Sequence, residues 1–311
     1  MTLMTPEKHY HTLHNHFLQT YGTKVFKIAL NGGFSCPNID GTVAFGGCTF
    51  CSSLGSGDFA GNKNEPLSAQ FEKVRTVMMQ KWPEGKYIVY FQANTNTHGP
   101  LERLRALYEE AISLHPDIVK ISIATRPDAL PDDVLDYLSD LNRRMPVQVE
   151  LGLQTIHEET ARLVNRGHDL ACFDNAVKKL HARGIEVVVH IINGLPGETK
   201  TMMIETARHV NRLPIQGIKI HMLHIMKHTV MGMAYEQAPW PLPDLETYVD
   251  ITIEQLRWLN PDIIIHRLTG DAPGPLLIAP DWTRKKFVVT NEIDKKMRRL
   301  DAWQGDYHET T

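Results

Sequence analysis

The stretch VFKIALNGGFSCPNIDGTVAFGGCTFC, residues 25–51, sets the architecture of this 311-residue chain. Its opening VFKIALN is a short apolar run of the length of a buried strand, and it leads straight into a loop carrying three of the four cysteines, Cys36, Cys48 and Cys51. Working outward, comparable runs occur at YIVYFQ, DIVKISI, VQVELGL, EVVVHII, GIKIHML and DIIIHRL. Between most of them lie patterns of helical period: LSAQFEKVRTVMMQKW, LERLRALYEEAISL, DDVLDYLSDLN, CFDNAVKKLHARG, TMMIETARHVNRL and LETYVDITIEQLRWL. Gly184 after HAR and Pro146 after NRRM mark stops between these elements. Repeated strand–helix alternation requires a parallel sheet. Six such units with a seventh strand fall short of a closed eightfold barrel, so the α/β chain is expected to form an open, partial (β/α)6-type barrel, with a doubly wound sheet as the second possibility. In both, ligands bind at the carboxyl ends of the strands, where the cysteine loop lies.

Composition bounds the chemistry. With 42% hydrophobic and 22% charged residues the chain can bury a core, and its net charge of −3 speaks against a wholly basic nucleic-acid binder or an acidic tail while leaving room for local basic patches. No apolar run follows a basic start and no stretch of about 18 apolar residues occurs, so neither a signal peptide nor a membrane span is expected and the protein is read as cytoplasmic. In a reducing compartment clustered cysteines bind metal or do chemistry more often than they form disulfides. Two readings of Cys36, Cys48 and Cys51 stand at this point. One is a structural zinc completed by one of the sixteen histidines, although none lies between His16 and His98. The other is a [4Fe-4S] cluster on three thiolates with one iron left open.

Three clustered cysteines after a strand, with Phe50 directly before the third, resemble the radical S-adenosylmethionine superfamily, in a variant whose first gap is eleven residues instead of the usual three. The blocks TRPD (125–128), ELGLQT (150–155), NRGH (165–168) and NGLPGET (193–199) follow in matching order. They are similar to the radical domain of the Elongator catalytic subunit and, more distantly, to oxygen-independent coproporphyrinogen oxidases. FQANTNT (91–97), KIHMLHIMKHT (219–229) and RLTGDAP (267–273) narrow the resemblance to YtqA/YhcC-type, MnmL-like proteins. The resemblance implies a [4Fe-4S] cluster on Cys36, Cys48 and Cys51 and S-adenosylmethionine on its open iron, cleaved on reduction to a 5'-deoxyadenosyl radical. It further implies that Phe50 flanks the adenine, that Gln154 reaches the ribose and that Arg166 pairs with the methionyl carboxylate, a planar fork on a planar anion. Gln92, Asn94 and Asn96 fall where related enzymes hold the cofactor amino group, and Gly194 and Gly197 would allow a tight turn with a close backbone approach. His190 stands where the oxidases carry an acid, and Ala124 where Elongator-like chains carry a glutamate, a contact that Glu150 could supply. Each of these residues also has an ordinary structural explanation, as loop packing, a turn or a surface ion pair.

Lys219 and His221 alternate on the GIKIHML run and are expected to face the barrel interior, with Met222 or its neighbours near the adenine. Cys172, at a helix start, is expected to be a small buried hydrophobe and no ligand. Residues 1–270 would form the barrel and 271–311 a C-terminal extension. Its basic runs TRKKF (283–287) and KKMRRL (295–300), interleaved with Trp282, Phe287 and Trp303, are either a tRNA-contacting surface or a solvated helix face. The resemblance implies a wobble-uridine task, the conversion of 5-carboxymethylaminomethyl-uridine to 5-aminomethyl-uridine, with an electron donor such as flavodoxin or ferredoxin as partner. A radical enzyme acting on a porphyrin-like small molecule or a peptide is the alternative, and a non-catalytic electron-transfer module a weaker one.

Overall fold

The 25–30 run forms β1 (Val25–Leu30), as the apolar run requires, in a computed structural model that describes residues 3–52, 55 and 57–308. It begins a seven-stranded, wholly parallel, curled half-barrel whose other strands are β2 (Lys86–Phe91), β3 (Ile118–Thr125), β4 (Val147–Gln154), β5 (Glu186–Asn193), β6 (Gly217–Met222) and β8 (Ile264–Arg267), hydrogen-bonded in that order. The short β7 (Ile225–Met226) and β9 (Leu277–Ala279) pair antiparallel apart from it. Helices α1 (Leu13–Tyr21), α2 (Leu67–Lys81), α3 (Leu101–Ser113), α4 (Asp132–Asn142), α5 (Glu158–Leu163), α6 (Leu170–His181), α7 (Lys200–Val210), α8 (Val230–Gln237), α9 (Leu245–Trp258) and α10 (Lys286–Leu300) make up the helical layer and its connections. Among the described residues no helix is long and apolar enough to cross a membrane.

Period-two alternation divides the two faces of this sheet. Phe26, Ile28 and Leu30 of β1, Val147, Val149, Leu151 and Leu153 of β4, and Ile218 and Ile220 of β6 enter one continuous core under the helices. Each such side chain contributes about 1.5–3 kcal/mol on burial. Their neighbours Lys27 and Ala29, Glu150, Gly152 and Gln154, and Lys219 and His221 turn to the concave side and line a cavity. Helix starts obey local chemistry, with Thr12, Asp169, Thr199 and Asp244 each accepting a hydrogen bond from a backbone N–H of the first turn.

Beyond residue 270 the chain packs onto the barrel. Val289, Ile293 and Met297 of α10 belong to the main core. Gln304 donates through its side-chain amide to Asn260 O and Ile263 O, and accepts from the His11 N–H at 2.9 Å. Trp282 donates to Pro243 O at 3.0 Å, and Trp303 stacks on His9 with ring centroids 3.6 Å apart. Of the three aromatics expected to interleave a nucleic-acid surface, Phe287 is the exposed one, at 75%. The other two are absorbed by packing.

Candidate active site

The concave face encloses a cavity of about 670 Å³, within the range of small-ligand sites. Cys36, Cys48 and Cys51 all stand on its wall. Cys36 O accepts from the N–H groups of Ile39 and Asp40, and the Cys51 N–H donates to Cys48 O at 3.0 Å, so the two ends of the loop are compact turns. The hydrogen bond with Cys51, the Arg126 charge and the Asn38 amide bring the Cys48 thiol down to about 7. Such a site favours thiolate ligands.

The blocks downstream brace this loop. Asn38 is fully buried and its amide donates to Asn165 O and toward Cys48 Sγ, the latter at 3.7 Å. Asn165, with a positive φ of 52°, donates to Gly47 O at 2.7 Å, and Gly47 N–H donates to Asn38 O at 2.8 Å. Arg126 grips Asp128 with Nε and Nη2 and donates from Nη1 to Arg166 O at 2.7 Å. Gly167 takes a φ of 85°, and a β-carbon there would lie 2.4 Å from Asn38 Oδ1, so a larger residue would collide with the brace. The TRPD and NRGH blocks thus form a buried scaffold behind Cys36 and Cys48. Asn38, Arg126 and Asn165 were not singled out from sequence; a polar asparagine between two cysteines was the available signal.

Several expected contacts are placed differently. Arg166 is 1% exposed, and its guanidinium donates to His168 O, Leu153 O and Thr155 O and meets Glu158 Oε1 at 3.4 Å. A guanidinium carries five N–H donors in a fixed fork; most of this one ties the end of β4 to the NRGH loop, and those bonds hold Arg166 on the cavity wall with the cysteines. Gly194 is absent from the cavity wall. Its φ of 93° makes a turn against Pro243, and its N–H faces Met203 Sδ at 3.2 Å. Cys172 is half-buried, its backbone N–H capped by Asp169, and burial pushes its thiol up. Phe50, Gln92, Asn94, Gln154 and Arg166 line the cavity. Gln154 sits where the β4–β5 register slips and holds a φ of 64°, a left-handed backbone that a non-glycine residue adopts at a cost of about 1–3 kcal/mol. Its amide folds back over Gly152, where a β-carbon would lie only 2.5 Å from Nε2. Asn94 shares the positive φ, at 60°, and donates to Phe34 O at 3.0 Å.

Deeper in the cavity a charge cluster crosses four strands. Glu150 has no exposed side-chain surface and accepts from Lys27, Lys219, Ser122 Oγ at 2.8 Å and His190 Nε2 at 2.8 Å. Its carboxylate is therefore fully engaged by the barrel, which removes it as a replacement for the glutamate missing at Ala124. Burial alone would raise the Glu150 carboxyl, but Lys219, Lys27 and His190 outweigh it and hold it well below 4.5. Burial pulls Lys219 down to about 8 against the opposing pull of Glu150. Burial and then the Lys219 charge bring His190 to about 4. Lys27, Tyr90, His224, His266 and Arg267 join Lys219 and His221 on the wall. Strand alternation in VFKIAL carried the signal for Lys27, a lone charge inside an apolar run.

A parallel half-barrel with a three-cysteine loop at the carboxyl end of its first strand defines a radical S-adenosylmethionine enzyme. The model of the radical SAM superfamily matches residues 42–210 and that of the radical SAM C-terminal domain residues 215–299. The chain belongs to this superfamily and depends on a [4Fe-4S] cluster and S-adenosylmethionine. Within it the chain is of the YtqA/YhcC type. It is 52% identical to YtqA of Bacillus subtilis (strain 168) over 97% of this chain and 93% of that protein, and 38% identical to YhcC of Escherichia coli (strain K12) over 88% of each. A tRNA uridine(34) acetyltransferase of Dehalococcoides mccartyi is 25% identical over 61% of this chain and 41% of that one. The structure of the archaeal Methanocaldococcus infernus Elp3 superposes with a TM-score of 0.68 at 17% identity, covering 90% of this chain and 64% of that one.

The donor set fits these cofactors. Three thiols line one cavity, one of them already shifted toward thiolate. The buried Asn38 Oδ1 lacks a hydrogen-bond partner beside the loop.

Proposed function

We propose that this enzyme modifies the wobble uridine of tRNA, converting 5-carboxymethylaminomethyl-uridine to 5-aminomethyl-uridine, with Cys36, Cys48 and Cys51 as the cluster ligands. The observation that carries the reading is the similarity, over 61% of the chain, to a protein named for tRNA uridine 34. When bound, S-adenosylmethionine on the reduced cluster supplies a carbon-centred radical that can take a hydrogen atom from a substrate carbon. The chain itself binds, orients and excludes water. Phe50 packs against the small apolar cluster that holds Val164, Leu195, Leu223, Ile225 and Met231, and gives the cavity an apolar patch. Gln154 and Asn94, both held in left-handed backbone, set polar groups at fixed positions on the cavity edge.

Outside the cavity, Lys285, Arg298 and Arg299 are exposed together with Phe287 on the C-terminal segment, residues 271–311, and would follow the tRNA backbone. Lys286 is paired with Asp271 at 2.7 Å and is left out of this set. A flavodoxin or ferredoxin in the cytoplasm would deliver the reducing electron. Mass spectrometry of wobble nucleosides from cells with and without the gene tests the reading. Loss of the gene should leave the carboxymethylaminomethyl form in place of the aminomethyl form. Unchanged nucleosides would reject the tRNA assignment in favour of a porphyrin-like or peptide substrate.

A further inference from the structure

The floor of the cavity carries more positive than negative charge. Lys27 and Lys219 share the single Glu150 carboxylate, and Arg267 and Lys286 share the single Asp271 carboxylate. On the cavity wall Glu150 and Asp271 therefore face three cations, Lys27, Lys219 and Arg267, with Lys286 joining Asp271 from beyond the lining. Lys27 and Lys219 both stand over the buried Tyr90 ring, at 4.5 and 4.9 Å from its centroid, which fixes the two ammonium groups on one side of the cavity. Their side chains keep 22% and 11% of their surface while Glu150 keeps none, so it is the cations that remain open to a ligand.

The surrounding histidines add no counter-charge and no competing cation. Burial and then Arg267 bring His224 to about 4, burial and then His190 hold His221 well below its usual value, and burial and then Lys27 do the same for His266. Neutral imidazoles leave the negative charge of the wall to Glu150, Asp271 and, on the loop after Cys51, Asp58, which accepts from Ser52 Oγ at 3.0 Å. A low-dielectric pocket of this kind attracts an anion and rejects a neutral or cationic group of the same shape.

We propose that this floor is a carboxylate-binding subsite for the substrate, in which Lys27 and Lys219, with Arg267 beside them, receive a carboxylate of the group to be modified. It rests on the reading that the modified side chain of the substrate enters this cavity, and it assigns the charge that side chain carries. A 5-carboxymethylaminomethyl group ends in such a carboxylate, and the aminomethyl product has lost it, so the subsite would hold the substrate and release the product.

The test uses reconstituted enzyme holding its cluster and saturated with S-adenosylmethionine, so that the site for the methionyl carboxylate of the cofactor is already filled. N-methylglycine, the fragment of the substrate side chain, is compared with its N-methylamide by saturation-transfer NMR. The acid should bind about tenfold more tightly than the amide, as a charge-assisted hydrogen bond predicts. Lys27→Met should remove this preference and Lys27→Arg should retain it, with iron content reporting that both variants fold. Equal binding of acid and amide, no binding of the acid, or an unchanged preference in Lys27→Met overturns the subsite. Conversion of tRNA by the wild-type enzyme is scored separately. Conversion without acid selectivity sinks the subsite alone, and acid selectivity without conversion sinks the tRNA reading alone.

Discussion

Replacing Glu150 by Gln keeps the shape of the side chain and removes the one carboxylate between Lys27 and Lys219. Breaking a buried ion pair from one side costs about 3–5 kcal/mol because the partner charge is stranded. Here Lys219 has an escape, since it can lose its proton. Burial already brings it from 10.5 to about 8, which at pH 7 costs about 3 kcal/mol, and the Glu150 charge is what keeps it from falling further. Lys219 binds fewer protons folded than unfolded between about pH 8 and 10.5, so in the wild type its penalty is full below pH 8 and fades as pH rises through that window. In Glu150→Gln the folded value drops further and the penalty at pH 7 grows, while at high pH both proteins carry a neutral lysine. Glu150 itself, held well below 4.5, stabilises the fold above its ordinary value, and that contribution is lost as pH falls through its folded value. Anaerobic urea unfolding at matched cluster loading should therefore show a deficit of about 3 kcal/mol at pH 7, smaller at pH 9 and smaller again in strong acid. A deficit below about 1 kcal/mol at pH 7, or one that grows between pH 7 and 9, refutes the buried-cluster reasoning.

Cys36→Ala, Cys48→Ala and Cys51→Ala should each abolish the uptake of about four irons per chain on anaerobic reconstitution, whereas Cys172→Ala should leave it intact; stoichiometric zinc without iron uptake would contradict this. Gly167→Ala pushes a methyl group onto Asn38, so iron loading should fall although all three cysteines remain, as read by iron and sulfide analysis. Gln154→Gly should relieve the left-handed backbone and raise stability by about 1 kcal/mol while weakening S-adenosylmethionine binding, and calorimetry that finds affinity unchanged removes Gln154 from the cofactor wall. Lys285→Ala, Arg298→Ala and Arg299→Ala combined should flatten the salt dependence of tRNA binding, because each neutralised phosphate releases counterions; an unchanged slope places the tRNA elsewhere.

Period-two alternation made the barrel readable from the sequence. It separates Phe26, Ile28 and Leu30 from Lys27 and Ala29, and all seven expected strand runs appear in the sheet. Helices α5 and α8 were not anticipated. They are short and lie between motif blocks; EETARL of α5 is polar enough for a turn, and VMGMAYEQ of α8 is only two turns long and carries a glycine. The cysteine loop was legible because three thiols so close together have few uses in a reducing compartment. Side-chain direction was not. Arg166 stands on the cavity wall as expected, but its bonds to carbonyl oxygens of Leu153, Thr155 and His168 come from chain segments that only the fold brings together. Gly194 illustrates the same limit, since a positive φ suits a tight turn against Pro243 as well as it suits a cofactor. The pairing of Glu150 with Lys27 and Lys219 joins residues 123 and 69 positions apart, beyond what any local pattern encodes.

Radical modification of wobble uridine is tested most directly by giving the reduced, reconstituted enzyme S-adenosylmethionine and tRNA bearing 5-carboxymethylaminomethyl-uridine. Nucleoside mass spectrometry should show the aminomethyl form appearing, with 5'-deoxyadenosine produced faster than in the absence of tRNA. Cofactor cleavage at the same rate with and without that tRNA, with the nucleoside unchanged, would contradict the account.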